Sequence, residues 1–217
     1  MKLQQSEDVF TKKSERIEKK FILSRGQGII AEHALIRFGF RKIFTKRIIN
    51  SIYFDDLNYS SLRDNINGNP YRDKIRVRYY DNNFKNAYLE IKHKRNVLGY
   101  KTVYKIEPCV SESQIIKIAS VWIKEKLNNI YFPVSLVKYN RNYYRKHNIR
   151  ATLDQNVCGF RYVSQTTYIK SNFSGYEVVE LKYKKEDDDY ARQIYSDIEK
   201  FSSRATKSSK YSNSLMY

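Results

Sequence analysis

Residues 71–107 read YRDKIRVRYYDNNFKNAYLEIKHKRNVLGYKTVYKIE, and this stretch decides the fold. Residues two apart in a strand share a face. Read with that period, Lys74, Arg76 and Arg78 lie opposite Ile75, Val77 and Tyr79, and Glu90, Lys92 and Lys94 lie opposite Leu89 and Ile91. The pattern predicts three strands over 71–80, 87–95 and 100–107. Asp81-Asn82-Asn83 and the 96–99 segment supply the turns of an antiparallel meander.

The same arrangement recurs outward in both directions. Glu18 and Lys20 share a face in a strand starting near Glu15. Arg150, Thr152 and Asp154 share one over 149–155, and Glu180, Lys182 and Lys184 share one over 176–185. Further strands are expected at 48–54, 134–146 and 159–164. Glu-x-Lys thus occurs at 18–20, 90–92 and 180–182, each time inside a strand. A polar face on an antiparallel sheet is ordinarily a solvated one. Here, however, Lys and Arg dominate that face, with one carboxylate per strand, where a solvated face would mix Ser, Thr and Gln. Helices are expected at 29–38, 111–127 (capped by Ser111, with Trp122 in the core) and 190–201, enough to cover the apolar faces. Helices outside and charges inside describe an α+β, mainly β fold: an antiparallel closed tunnel barrel with a charged interior and flanking helices. Residues 1–14 form a polar N-terminal segment, and 15–217 are read as a single domain.

Charge narrows the partner. Lys and Arg number 41 against 23 Asp and Glu, a formal net charge of +18, so an anionic partner is required to offset self-repulsion. Nucleic acid, a phosphorylated metabolite, polyphosphate and an acidic membrane all satisfy that requirement. Charges placed at strand parity, rather than along one helix or a tail, argue against nucleic acid. Arg and Lys converging on one face favour phosphate, which Arg can bind bidentately. The interspersed carboxylates suit a hard divalent cation, Mn²⁺ or Mg²⁺, bridging phosphate oxygens.

No apolar run approaches the roughly 20 residues of a membrane helix. Residues 1–13 lack the apolar core of a signal peptide, so the expectation is a soluble, cytoplasmic protein. Cys109 and Cys158 form no metal-ligand spacing and are read as inert thiols, and His33, His93 and His147 as structural or surface residues.

The order R-x-E-x-K-F (16–21), S-I-Y-F-D-D (51–56), K-I-R-V-R-Y-Y (74–80), L-E-I-K-H-K (89–94), Y-N-R (139–141), R-A-T-L-D (150–154), E-L-K-Y (180–183) and S-K-Y (209–211) resembles the VTC domain. This is the polyphosphate polymerase domain of the vacuolar transporter chaperone complex and its bacterial relatives, within the triphosphate tunnel metalloenzymes. The resemblance runs from about residue 15 to 212. It implies transfer of the γ-phosphoryl group of ATP onto polyphosphate with Mn²⁺ or Mg²⁺, making ATP and polyphosphate the expected partners. It assigns phosphate-binding roles to Lys20, Arg76, Arg78, Lys92, Lys101, Arg141, Arg150 and Lys210, and a metal-binding role to Glu180. Lys105 could take the register of Lys101. The expected triphosphate clamp is Arg76, Arg78, Lys92 and Arg150, with Lys182 as a further phosphate ligand and Glu18 assisting Glu180. Arg16 stands where tunnel triphosphatases have the first glutamate of Glu-x-Glu-x-Lys, which fits the polymerase branch better. A tripolyphosphate or nucleoside triphosphate hydrolase on the same fold, and a non-catalytic polyphosphate- or nucleic-acid-binding module, are the alternatives. The regulatory and membrane segments of eukaryotic members are not expected.

Overall fold

The computed structural model describes residues 16–96, 98–164, 167–202 and 209–216; the polar segment expected over 1–14 lies outside them. In chain order the elements are β1 (Arg16–Ser24), α1 (Gln27–Arg37), β2 (Arg41–Asp55), α2 (Ser60–Ile66), β3 (Tyr71–Tyr80), β4 (Asn83–Arg95), β5 (Leu98–Lys105), α3 (Glu112–Leu127), β6 (Phe132–Lys146), β7 (Ile149–Tyr162), β8 (Tyr168–Ser174), β9 (Tyr176–Lys184), α4 (Asp188–Glu199) and α5 (Lys210–Met216). The strands pair in the order β1-β9-β7-β6-β2-β3-β4-β5, with β8 beside β7. Among the described residues this path has two ends and does not return on itself. The closed tunnel barrel expected from the sequence is therefore replaced by an open, mainly antiparallel nine-stranded sheet with five α-helices. Alternation reports which face a side chain takes, whereas closure depends on tilt and stagger between the first and last strands, which alternation does not encode.

Two compact units divide the chain. The first includes Asn50–Leu136 and Tyr162–Ile169; the second comprises Glu15–Ile49, Val137–Arg161 and Lys170–Tyr217.

In the first unit β3, β4 and β5 form the expected meander. Asp81 and Asn82 take φ values of 54° and 56° at the β3–β4 turn, the left-handed backbone that short polar side chains tolerate and a tight hairpin needs. The apolar face carries Ile75, Val77, Tyr79, Leu89 and Ile91, all buried, and α3 packs against β3 and β4. Ser111 caps α3 by accepting a hydrogen bond from the Gln114 amide at 3.3 Å. Glu112 on the first turn of α3 accepts from the Tyr79 hydroxyl and, at 2.8 Å, from the Tyr162 hydroxyl. Trp122 is half-buried, edge-on to Tyr104, where the sequence places it in the core. It stands one position, about 100° of helix turn, off the buried row of Ile115, Ala119 and Ile123.

In the second unit α1 and α4 cover one face of β1, β9 and β7. Phe21, Leu23, Ala151, Leu153, Val179, Leu181 and Tyr183 meet Ala31, Leu35, Ala191, Ile194 and Ile198 in one core. Glu177 fastens the start of α1: its Oε2 accepts from the Gly28 amide at 2.5 Å, and its Oε1 accepts from Gln155 Nε2 at 3.1 Å. A Cβ at residue 28 would stand 2.5 Å from that carboxylate oxygen, so a larger residue there would push the Glu177 carboxylate off the amide.

β7 is one strand where the sequence suggests two. Asn156 sits in it with φ 53°, and the left-handed residue breaks the alternation without ending the pairing. β2 begins at Arg41, seven residues before the expected start at Ile48, because its first half is exposed on both faces and so lacks alternation.

Candidate active site

The first unit gathers four of the expected phosphate ligands on the polar face of β3, β4 and β5. The register sets Lys74, Lys92 and Lys101 side by side across the three strands. Arg76 lies opposite Glu90 in the next row, and Arg78 opposite Tyr88 in the row after. Glu90, 5% exposed, is the hub. Its Oε2 accepts from Arg76 Nε at 2.7 Å and lies 2.5 Å from Arg76 Nη2, with Arg78 Nη1 at 4.0 Å. Its Oε1 accepts from Lys101 Nζ at 2.7 Å. Lys101, rather than Lys105, is the lysine that meets the hub; Lys105 stands opposite Tyr88. β2 steadies the two guanidinium groups from the side, through Tyr53 Oη at 3.5 Å from Arg76 Nη1 and Ser51 Oγ at 3.4 Å from Arg78 Nε.

Burial alone would oppose ionisation of Glu90, but Arg76, Arg78 and Lys101 overcome it and hold the carboxyl well below its usual range. Lys74, Arg76, Arg78, Lys92 and Lys101 are among the cations that share this face with the carboxylate of Glu90. Like charges directly across strands repel, and a polyanion laid over the row relieves that repulsion while Glu90 keeps the arginines aligned.

The second unit holds the remaining site residues: Glu18, Lys20, Arg150, Glu180 and Lys182 on the polar face of β7, β9 and β1, Arg141 on β6 and Lys210 on α5. One row is Arg150, Lys182, Glu18; the next is Thr152, Glu180, Lys20. Lys182 Nζ lies 2.9 Å from Glu180 Oε1 and 3.1 Å from Glu18 Oε1, bridging the two carboxylates. Against the cost of burial, Lys182, Lys20 and Arg141 keep Glu180 ionised far below the usual carboxylate range. The two carboxylates in turn raise the pKa of Lys182, against burial. Arg150 is exposed beside Arg16 and Arg145. Partial loss of hydration, and then those like charges, lower its pKa, the condition an incoming anion would reverse.

A third carboxylate, Asp154, is fully buried. Arg141 grips it with Nε at 2.5 Å and Nη2 at 2.7 Å, and Lys210 Nζ, from α5, lies 2.7 Å away. Both cations also lie over the ring of Tyr139, at 5.2 and 5.0 Å from its centroid. Burial resists ionisation of Asp154, yet Arg141 and Lys210 lower its pKa below the ordinary 3.8. Glu90 and Asp154 stood in the sequence among the carboxylates suited to a divalent cation, without a place of their own in the expected site. Their parity with the cations was the available signal, but depth of burial is what makes them hubs, and parity does not report depth.

Among the described residues no group of three or more His, Cys, Asp or Glu could hold a metal ion. Glu18 and Glu180 nevertheless fit the expected ion in another way. They already share one cation, the Lys182 ammonium, and Mg²⁺ or Mn²⁺ on phosphate is commonly held by one or two carboxylates plus phosphate oxygens. Beside them Thr152 Oγ1 is buried with no hydrogen-bond partner among the described residues, an oxygen that a ligand or its water could use.

A family model for the VTC domain matches residues 8–217. The chain belongs to the VTC domain family. Solved structures share the fold of this VTC domain. An adenylyl cyclase candidate from Hippeastrum, HpAC1, described as having a dominant triphosphatase activity, is 13% identical with TM-score 0.56, covering 90% of this chain and 93% of its own. An adenylate cyclase candidate from Vibrio parahaemolyticus is 11% identical with TM-score 0.53, covering 93% and 98%. PH1819 from Pyrococcus horikoshii OT3 is 14% identical with TM-score 0.52, covering 92% and 98%. At such identities the likeness is one of fold. No curated protein matches this VTC domain. Among the described residues, no helix is long and apolar enough to cross a membrane.

Three of the buried carboxylates, Glu90, Glu180 and Asp154, predict an acid limit to stability. Each has its folded pKa below its ordinary value, 4.5 for Glu90 and Glu180 and 3.8 for Asp154. Their contribution is complete above those ordinary values and is lost as pH falls through the lower, folded ones. The urea midpoint should be level above about pH 5 and fall steeply below about pH 4. A midpoint unchanged down to about pH 3 would contradict the ion-pair geometry.

Proposed function

We propose that residues 15–217 of this VTC domain work as one cytoplasmic catalytic domain that transfers the γ-phosphoryl group of ATP to a polyphosphate chain. The observation that carries this reading is the β3–β4–β5 face, where Arg76, Arg78 and Lys101 converge on the buried Glu90 and Lys74 and Lys92 stand in the adjoining row. Such an excess of fixed positive charge, aligned by an internal carboxylate, is preorganised for a chain of phosphates.

Arg76, Arg78 and Lys92 are the proposed clamp from the first unit, with Lys101 as a supporting ligand. Arg76 and Arg78 are oriented before substrate arrives, so little reorganisation is needed when charge builds on the transferring group. In the second unit Lys20, Arg141, Arg150, Lys182 and Lys210 offer further ammonium and guanidinium donors to phosphate oxygens. Glu180, with Glu18, would hold Mn²⁺ or Mg²⁺, which supplies charge neutralisation to phosphate oxygens when bound. Lys182, which bridges these two carboxylates, would offer its ammonium to a phosphate oxygen beside them. No side-chain nucleophile is needed, because phosphoryl transfer depends mainly on positioning and charge.

Purified protein supplied with ATP and Mn²⁺ is expected to release ADP and form long polyphosphate, visible on a gel. Glu180→Ala should lower that output about 10²-fold or more without unfolding the protein. Free phosphate in place of polyphosphate would assign a hydrolase. Tight polyphosphate binding with no turnover would leave a sensor.

A further inference from the structure

We propose that the first half of β2 in the second unit, with the adjoining surface of α1, is a docking surface for an anionic lipid bilayer. Residues 41–48 are exposed at every position, on both faces of the strand. They carry Arg41, Lys42, Lys46 and Arg47, and no acidic residue. Interleaved with these cations are Ile43, Phe44 and Ile48, which are 40, 56 and 40% exposed. α1 adds Ile29, Ile30 and Ile36, each more than half exposed, and Lys42 joins it to β2 by an ion pair with Glu32 at 2.6 Å. From Arg25 to Ile49 there are six Lys and Arg residues against one carboxylate, Glu32.

Large apolar side chains gathered on a surface mark a binding region, and their interleaving with cations selects the partner. A free polyanion would reward the lysines and arginines and leave the isoleucines in water. Single-stranded nucleic acid rewards aromatic rings that stack on bases, but the exposed apolar residues here are mostly isoleucine. Phe44 is already engaged, edge-on to Tyr143 and beneath Arg47. A bilayer interface presents anionic headgroups and hydrocarbon at adjacent depths, which is what alternating cationic and aliphatic side chains match. The surface uses none of the residues proposed to bind the triphosphate.

The test is co-sedimentation of the full chain with vesicles, in saturating tripolyphosphate so that the phosphate-binding faces are occupied. Vesicles containing phosphatidylglycerol should bring the protein down, and vesicles of phosphatidylcholine alone should not. Arg41→Glu with Lys46→Glu, and separately Ile43→Ser with Phe44→Ser, should each weaken partition about tenfold or more, while unfolding midpoints stay near wild type. Should the second pair cost the fold, Ile43→Ser alone repeats the apolar arm, with a smaller loss expected. Undiminished sedimentation of the apolar variants would overturn the proposal in favour of a purely electrostatic surface. Release of the wild type from vesicles by tripolyphosphate would overturn it in favour of the phosphate-binding faces. Tighter binding to single-stranded RNA than to the anionic vesicles would assign the surface to nucleic acid instead.

Discussion

Arg76→Ala should lower phosphoryl-transfer turnover about 10²-fold or more, the scale on which a preorganised charge-stabilising donor acts. Arg76 holds Glu90 through two nitrogens, at 2.7 and 2.5 Å, and reaches Tyr53 on β2, so its guanidinium is placed before any phosphate binds. Its neighbours in sequence, Ile75 and Val77, face the other way into the core, so the meander should survive the change. Glu90 would keep Lys101 and Arg78 as partners, which limits the loss of stability. The decisive comparison is kcat beside the unfolding midpoint. A large fall in kcat with a nearly constant midpoint supports a catalytic clamp. Turnover within about twofold of wild type would remove Arg76 from it.

Asp154→Ala should have the largest effect on stability, about 3–5 kcal/mol, because it leaves Arg141 and Lys210 beside one another without their shared counter-charge. Asp154 is fully buried and receives both Arg141 nitrogens and the Lys210 ammonium. α5 should loosen first, since Lys210 is its first residue. Arg161, which donates to the Leu215 carbonyl, would then be a remaining tie of α5 to β7. Urea unfolding measures the loss, and hydrogen exchange across 210–216 locates it. A midpoint shift worth less than about 1 kcal/mol would mean that Asp154 is not the counter-ion of this cluster.

Much of this site could be read from period alone. Lys74, Arg76, Arg78 and Lys92 share a face because a strand repeats every two residues, and the register confirms that geometry. Ser111 capped its helix for an equally local reason, a side-chain oxygen within reach of the Gln114 amide. Depth was not legible. Glu18, Glu90 and Glu180 look alike as Glu-x-Lys, yet Glu90 is a buried hub for three cations and Glu180 shares Lys182 with Glu18. Strand extent also failed where alternation did: both faces of 41–48 are exposed, and Asn156 interrupts β7 from within.

By itself, then, the amino-acid sequence determined the mainly antiparallel α+β class, the face each cation takes and the family, since all three rest on local period and ordered short motifs. Tertiary structure alone decided that Lys101 rather than Lys105 reaches Glu90, that Lys210 of α5 closes on Asp154, and that the paired strands run as an open path. Those outcomes depend on register and on contacts between segments far apart in the chain, where a shift of two residues keeps the same face and changes every partner.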